Sequence, residues 1–137
     1  MKKIPKQRQD KPPQIKSLEP GYYPDEHPPR FSFRLIVKHP DFGYDSLEKE
    51  HKIALINRIN VLGNIPWKDL RTLDRNRGYE KINREQLRFS VPNEVPSESE
   101  IIRFRFSDKA PMLGYRSTFG TFYIIAFDTK FIAYDHG

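Results

Sequence analysis

Residues 101–137 read IIRFRFSDKA PMLGYRSTFG TFYIIAFDTK FIAYDHG. Four short segments rich in β-branched and aromatic residues follow one another here: IIRFRF, MLGYRS, TFYIIAFD and FIAYDH. That composition is typical of strands, and segments this close in sequence pair in order. The stretch therefore predicts a four-stranded antiparallel meander. In the first strand Ile102, Phe104 and Phe106 take one face, and Ile101, Arg103, Arg105 and Ser107 the other. TFYIIAFD is apolar on both faces, which predicts a central strand covered on both sides. Asp128-Thr129-Lys130 predicts a tight hairpin into FIAYDH.

Working outward, Phe31 to Val37 alternates, with Phe31, Phe33, Leu35 and Val37 on one face of a half-buried strand. Ser46 to Leu62 predicts a helix, with Asp45 as cap, Glu48 as its capping-box partner and Gly63 as the stop. Leu47, His51, Leu55, Ile59 and Leu62 form its apolar side, with Ile56 beside them. Pro66 to Leu73 predicts a shorter helix with Asn64 as its cap and Trp67, Leu70 and Leu73 on one side. The fold class that follows is α+β. The sheet is antiparallel, a C-terminal four-stranded meander plus an N-terminal strand, with one or two helices packed on one face.

At 137 residues the chain suits one domain. Seven of its twelve prolines fall in residues 1–30, where aliphatic side chains are almost absent. Such a segment buries too little apolar surface to offset its ordering entropy, so residues 1–29 are expected to be a flexible, proline-rich basic arm and 30–137 the domain. The net charge is +6, and half of it lies in residues 1–30. A basic arm of this kind favours polyanions. The absence of cysteine excludes disulfides, thiolate zinc sites and a cysteine nucleophile. No apolar leader or membrane-length apolar run is present, so a cytoplasmic protein without membrane partners is expected.

Candidate chemistry is sparse. His27, His39, His51 and His136 are scattered, so no metal site and no cofactor is expected. Neither a nucleophile elbow nor a glycine-rich phosphate loop occurs. Between residues 71 and 88, Arg71, Arg75, Arg77, Lys81, Arg84 and Arg88 outnumber the acids, and Tyr79 and Phe89 interleave with them. Cations with aromatics suit RNA, whose phosphates need charge and whose unstacked bases need flat surfaces. A solvated loop and helix rim is the plainer reading of the same residues. Lys109 and Tyr115 extend the nucleic-acid-binding set into the sheet. A second set, Arg103, Arg105, Arg116, Tyr134 and His136, suits metal-free RNA cleavage, with arginines on the phosphate, His136 as acid or base and Tyr134 as a stacking or relay group.

The segments IIRFRF, LGYR and TFYIIAFD, with Tyr134 and His136, make residues 46–137 similar to the RelE/ParE-like fold of small bacterial toxins. The resemblance implies helices packed on an antiparallel sheet and a metal-independent endoribonuclease, with RNA, the ribosome and an antitoxin as the partners to expect. It places function on Arg103, Arg105, Arg116, Tyr134 and His136. Two other readings stay open. One is a non-catalytic nucleic-acid- or protein-binding module of a phage or mobile element. The other is a partner of proteins alone, docking by its sheet edge.

Overall fold

The computed structural model describes residues 23–134. Five strands form one sheet: β1 (Arg30–Ser32), β2 (Tyr79–Ile82), β3 (Ile101–Ser107), β4 (Ala110–Arg116) and β5 (Thr121–Phe127). Their order is β1-β5-β4-β3-β2. The α+β class holds, but the sheet is mixed. β1 runs parallel to β5, with Phe31 opposite Phe122, while the other pairs are antiparallel.

The expected fourth meander strand does not form over Phe131–Tyr134. Both edges of β5 are occupied, by β4 and β1, so a following strand has no ladder to join. The chain instead turns away. The buried Asp128 carboxylate accepts the Ile132 N–H at 2.8 Å, and Phe131 takes a left-handed backbone at φ 59°. The Arg88 N–H then donates to the Ala133 carbonyl at 2.7 Å, which holds this last segment across one face of the sheet.

The N-terminal strand is also shorter than its alternation implies. It ends at Ser32, whose hydroxyl accepts the Arg34 N–H at 3.2 Å in a turn. Phe33 is left exposed and Leu35 passes to the opposite side of the sheet from Phe31. Past the turn the Val37 N–H returns to the Ile125 carbonyl at 2.8 Å.

Two helices cover one face: α1 (Lys49–Leu62) and the single-turn α2 (Trp67–Leu70). α1 starts later than expected because Tyr44–Ser46 close a 3-10 turn, with the Ser46 hydroxyl donating to the Gly43 carbonyl at 2.6 Å. Its first turn is held by the Glu48 N–H donating to His51 Nδ1 at 3.1 Å. Leu47, Leu55 and Leu62 are buried, whereas Ile56 faces solvent. Pro66, not Asn64, precedes α2, and Asn64 bonds back to the Asn60 carbonyl.

Trp67 anchors this layer. It is fully buried among Phe104, Phe122 and Tyr79, and its indole N–H donates to the Gly120 carbonyl at 2.9 Å. Part of the expected arm docks here: the Trp67 N–H donates to the His27 carbonyl, and Asp25 pairs with Arg71 and Arg116. The folded body thus includes residues before Arg30; residues 1–22 lie outside the described residues.

The other face of the sheet is covered by connections. Leu35, Phe42, Val95, Ala133 and Tyr134 bury Ile101, Leu113, Tyr115 and Ile125. Apolar packing on both faces explains why β3, β4 and β5 are almost wholly buried. Gly114 sits at an irregularity between β4 and β5, where a Cβ would lie 2.1 Å from the Tyr123 carbonyl oxygen and 2.7 Å from the Phe122 ring. Gly114→Ala is expected to lower the unfolding free energy by about 1–3 kcal/mol, seen as a lower urea midpoint at unchanged m-value. An unchanged midpoint would contradict this packing.

A cationic cleft between the sheet edge and the C-terminal segment

The basic stretch at 74–90 supplies an edge strand. β2 pairs antiparallel with β3, placing Glu80 opposite Arg103 and Ile82 opposite Ile101. This pairing brings the cations of two distant segments together. A cleft of about 490 Å³ opens here, walled by Arg75, Glu80 and Lys81 from the β2 side, Arg103, Arg105 and Lys109 from the β3 side, and Tyr134 from the last segment. Five cations face one carboxylate.

The cations are not equivalent. Arg103 is only 7% exposed, and its Nε donates to Glu80 at 2.7 Å. A guanidinium this deep needs a partner, because an unpaired buried charge carries a desolvation cost of several kcal/mol. Arg105 bonds the Asn76 side chain, while its carbonyl accepts from Arg58 Nε at 2.9 Å. Arg58 also donates to the Arg77 carbonyl at 2.7 Å, so α1 braces the loop that carries Arg75. The Arg105 Nε is buried and meets no acceptor among the described residues. Lys81 pairs with Glu100 at 3.1 Å on the exposed rim. Arg75 and Lys109 are exposed and form no ion pair among the described residues.

Tyr134 is buried at the back of the cleft. Burial pushes its phenol up from the ordinary value; Arg103 and Arg105 pull it down, while Asp128 and Glu80 add to the rise. The net shift is upward, so near neutral pH the ring keeps its proton and is a donor. The arrangement can hold an oxyanion and deliver a proton beside it.

Several expected site residues lie elsewhere. The Arg116 guanidinium sits 4.7 Å from the Trp67 ring centre and 2.5 Å from Asp25, so it belongs with the helical layer. Burial raises the Asp25 carboxyl, but hydrogen bonds and charge from Arg116 and Arg71 outweigh it and hold it below its ordinary value. Arg71 is engaged in that cluster, and Arg77 pairs with Asp74. Arg84 donates to the Pro96 and Ser99 carbonyls and clasps the 83–99 connection. Arg88 is exposed on that connection. Tyr115 lines a separate groove. His136 lies outside the described residues. Among the described residues no group of three or more His, Asp or Glu gathers as a metal site requires, and no helix is long and apolar enough to cross a membrane.

The residue that sequence reasoning passed over is Glu80. Its signal was the alternation Tyr79-Glu80-Lys81-Ile82, a four-residue strand whose pattern is hidden among charges. No family model, curated protein or solved structure matches this chain.

Glu80→Gln separates the two roles of the pair. Glutamine keeps an acceptor for Arg103 but not the charge that offsets its burial, so the change is expected to cost about 1–3 kcal/mol in urea unfolding. The same change is expected to tighten binding of a polyanion such as polyuridylate, since it removes the carboxylate that competes for Arg103. Weaker binding by a folded variant would contradict the cleft's polarity.

Proposed function

We propose that this protein binds single-stranded RNA, with a backbone phosphate seated in the cationic cleft. The observation that carries the reading is the buried Arg105 Nε without an acceptor, in a cleft where Arg75 and Lys109 have no counter-ion among the described residues. A buried donor left unmade is costly, and a phosphate oxygen supplies the acceptor it lacks. Arginine forks and backbone phosphates match in geometry and charge.

A second reading is favoured by Tyr134 and Glu80 in the same cleft: metal-independent cleavage of the bound strand. The 2′-hydroxyl oxygen attacks the adjacent phosphorus as its proton passes to the Glu80 carboxylate. The bond from phosphorus to the 5′-oxygen breaks, and Tyr134 protonates that leaving oxygen. Arg103 and Arg105 hold the charge that builds on the phosphoryl oxygens. The products are a 2′,3′-cyclic phosphate and a 5′-hydroxyl. The likeness of residues 46–137 to RelE/ParE-like toxins supports this version, with an antitoxin as the further partner.

Fluorescence anisotropy with a labelled single-stranded RNA tests the binding claim. Each phosphate contact contributes about 0.7 to the slope of log affinity against log salt. The Arg75→Ala/Lys109→Ala variant alters two exposed side chains, and it is expected to flatten that slope by about 1.4. An unchanged slope would remove the cleft from the binding surface. For cleavage, RNA incubated with the protein in EDTA is expected to yield cyclic-phosphate ends, and Tyr134→Phe to slow the reaction at least tenfold. Equal rates for the two proteins would exclude Tyr134 as the acid.

A further inference from the structure

A second groove lies on the same face of the sheet, on the far side of the connection that runs from Asn83 to Ser99. Its volume is about 620 Å³. One wall is a pair of parallel rings: Tyr115 and Tyr123 face each other across β4 and β5 at 5.3 Å between centres and 14° between planes. Tyr115 is buried beneath the connection, whereas Tyr123 is partly open. Beside this wall the next row across the strands is polar and small, with Ser99, Ser117 and Thr121. Ser117 and Thr121 are tied by the Thr121 N–H donating to the Ser117 hydroxyl at 3.1 Å, which fixes the floor. Arg30 stands at one end, its guanidinium donating to the Phe119 carbonyl at 3.2 Å, and the exposed Glu98 carboxylate at another.

A flat aromatic wall and a hydroxyl floor, with the Arg30 and Arg116 guanidinium groups and the Glu98 carboxylate around them, fit a planar, hydrogen-bonding ring better than an aliphatic ligand. The groove is also tied to the cationic cleft. The two ends of one connection wall the two sites, with Asn83 and Gln86 in the cleft and Pro96 and Ser99 in the groove. Arg84 clasps these ends to each other at 2.7 Å to the Pro96 carbonyl. Arg103 lies opposite Leu113, two residues along β4 from Tyr115 on the same face. Strand spacing and rise put those two α-carbons about 8 Å apart, within the span of a short oligonucleotide.

We infer that the Tyr115–Tyr123 groove is a nucleobase subsite, which stacks one base of a strand whose backbone occupies the cationic cleft. This rests on the RNA-binding reading of that cleft. Tyr123 supplies the stacking surface, the Ser117 and Thr121 row meets the ribose, and Glu98 accepts from N–H groups on the base edge. The protein then reads more than charge, because a strand with phosphates and no bases leaves the groove unfilled.

The test compares a single-stranded RNA with an abasic strand of the same length and phosphate number, by anisotropy on the full chain. The expected result is about tenfold tighter binding of the base-bearing strand, the scale of one base–aromatic stack. Tyr123→Leu keeps apolar bulk and is expected to abolish that difference while leaving the abasic affinity unchanged. Glu98→Gln, on an exposed side chain, is expected to weaken the base-bearing strand relative to the abasic one, roughly threefold. Equal, salt-sensitive binding of both strands by the unaltered protein would overturn the base subsite and leave the phosphate cleft standing. Binding of neither strand would overturn the cleft reading and this inference together.

Discussion

The parallel pairing of β1 with β5 decides where the rest of the chain can go. A meander ending in β5 would leave one edge of that strand open, and the next segment would close on it. Here Arg30–Ser32 already hold that edge. The chain after Phe127 therefore has no ladder to extend, and Asp128 turns it across the sheet face. That detour brings Tyr134 over Arg103 and Arg105. Had FIAYDH formed a strand, Tyr134 would stand in the sheet and the cleft would have no back wall.

The second constraint is the burial of Arg103. Its side chain is covered by the last segment and by β2, and a guanidinium in such a place is held only with a carboxylate beside it. β2 supplies Glu80 at the facing register position. One edge strand thus performs two tasks: it neutralises the deepest cation and carries Lys81 to the rim. Arg58 secures the approach to that strand by tying α1 to the backbone of Asn76, Arg77 and Arg105. Among the described residues the cleft's exposed cations without an ion pair are the outer ones, Arg75 and Lys109, where a solvated polyanion first arrives.

Much of this architecture was legible from local pattern. The alternation of IIRFRF, the two apolar faces of TFYIIAFD, the helix ending at Gly63 and the Trp67–Leu70 turn all follow from periodicities of two or about four residues. What was hidden depends on pairings distant in sequence. No pattern within Phe31–Val37 says that only three residues pair, or that they pair in parallel with a strand ninety positions later. Residue parity put Arg103 and Arg105 on one face, as found, but it cannot say what covers that face. The C-terminal segment read as a strand because Phe131, Ile132 and Ala133 suit one; the left-handed Phe131 and the Asp128 cap are features of the turn, not of composition. Arg116 read as part of a basic face, yet its β4 position turns it to the helical layer, where Trp67 and Asp25 hold it.

The proposed RNA site lies on the face covered by the 83–99 connection, not on the helical face. The most direct measurement is a titration of the isotope-labelled protein with a short single-stranded RNA, followed by two-dimensional NMR. Saturable shifts are expected in the backbone amides of Lys81, Arg105, Lys109 and Tyr134, with those around α1 still. Shifts confined to the exposed α1 residues Ile53 and Ile56, or no saturable shifts at all, would contradict it.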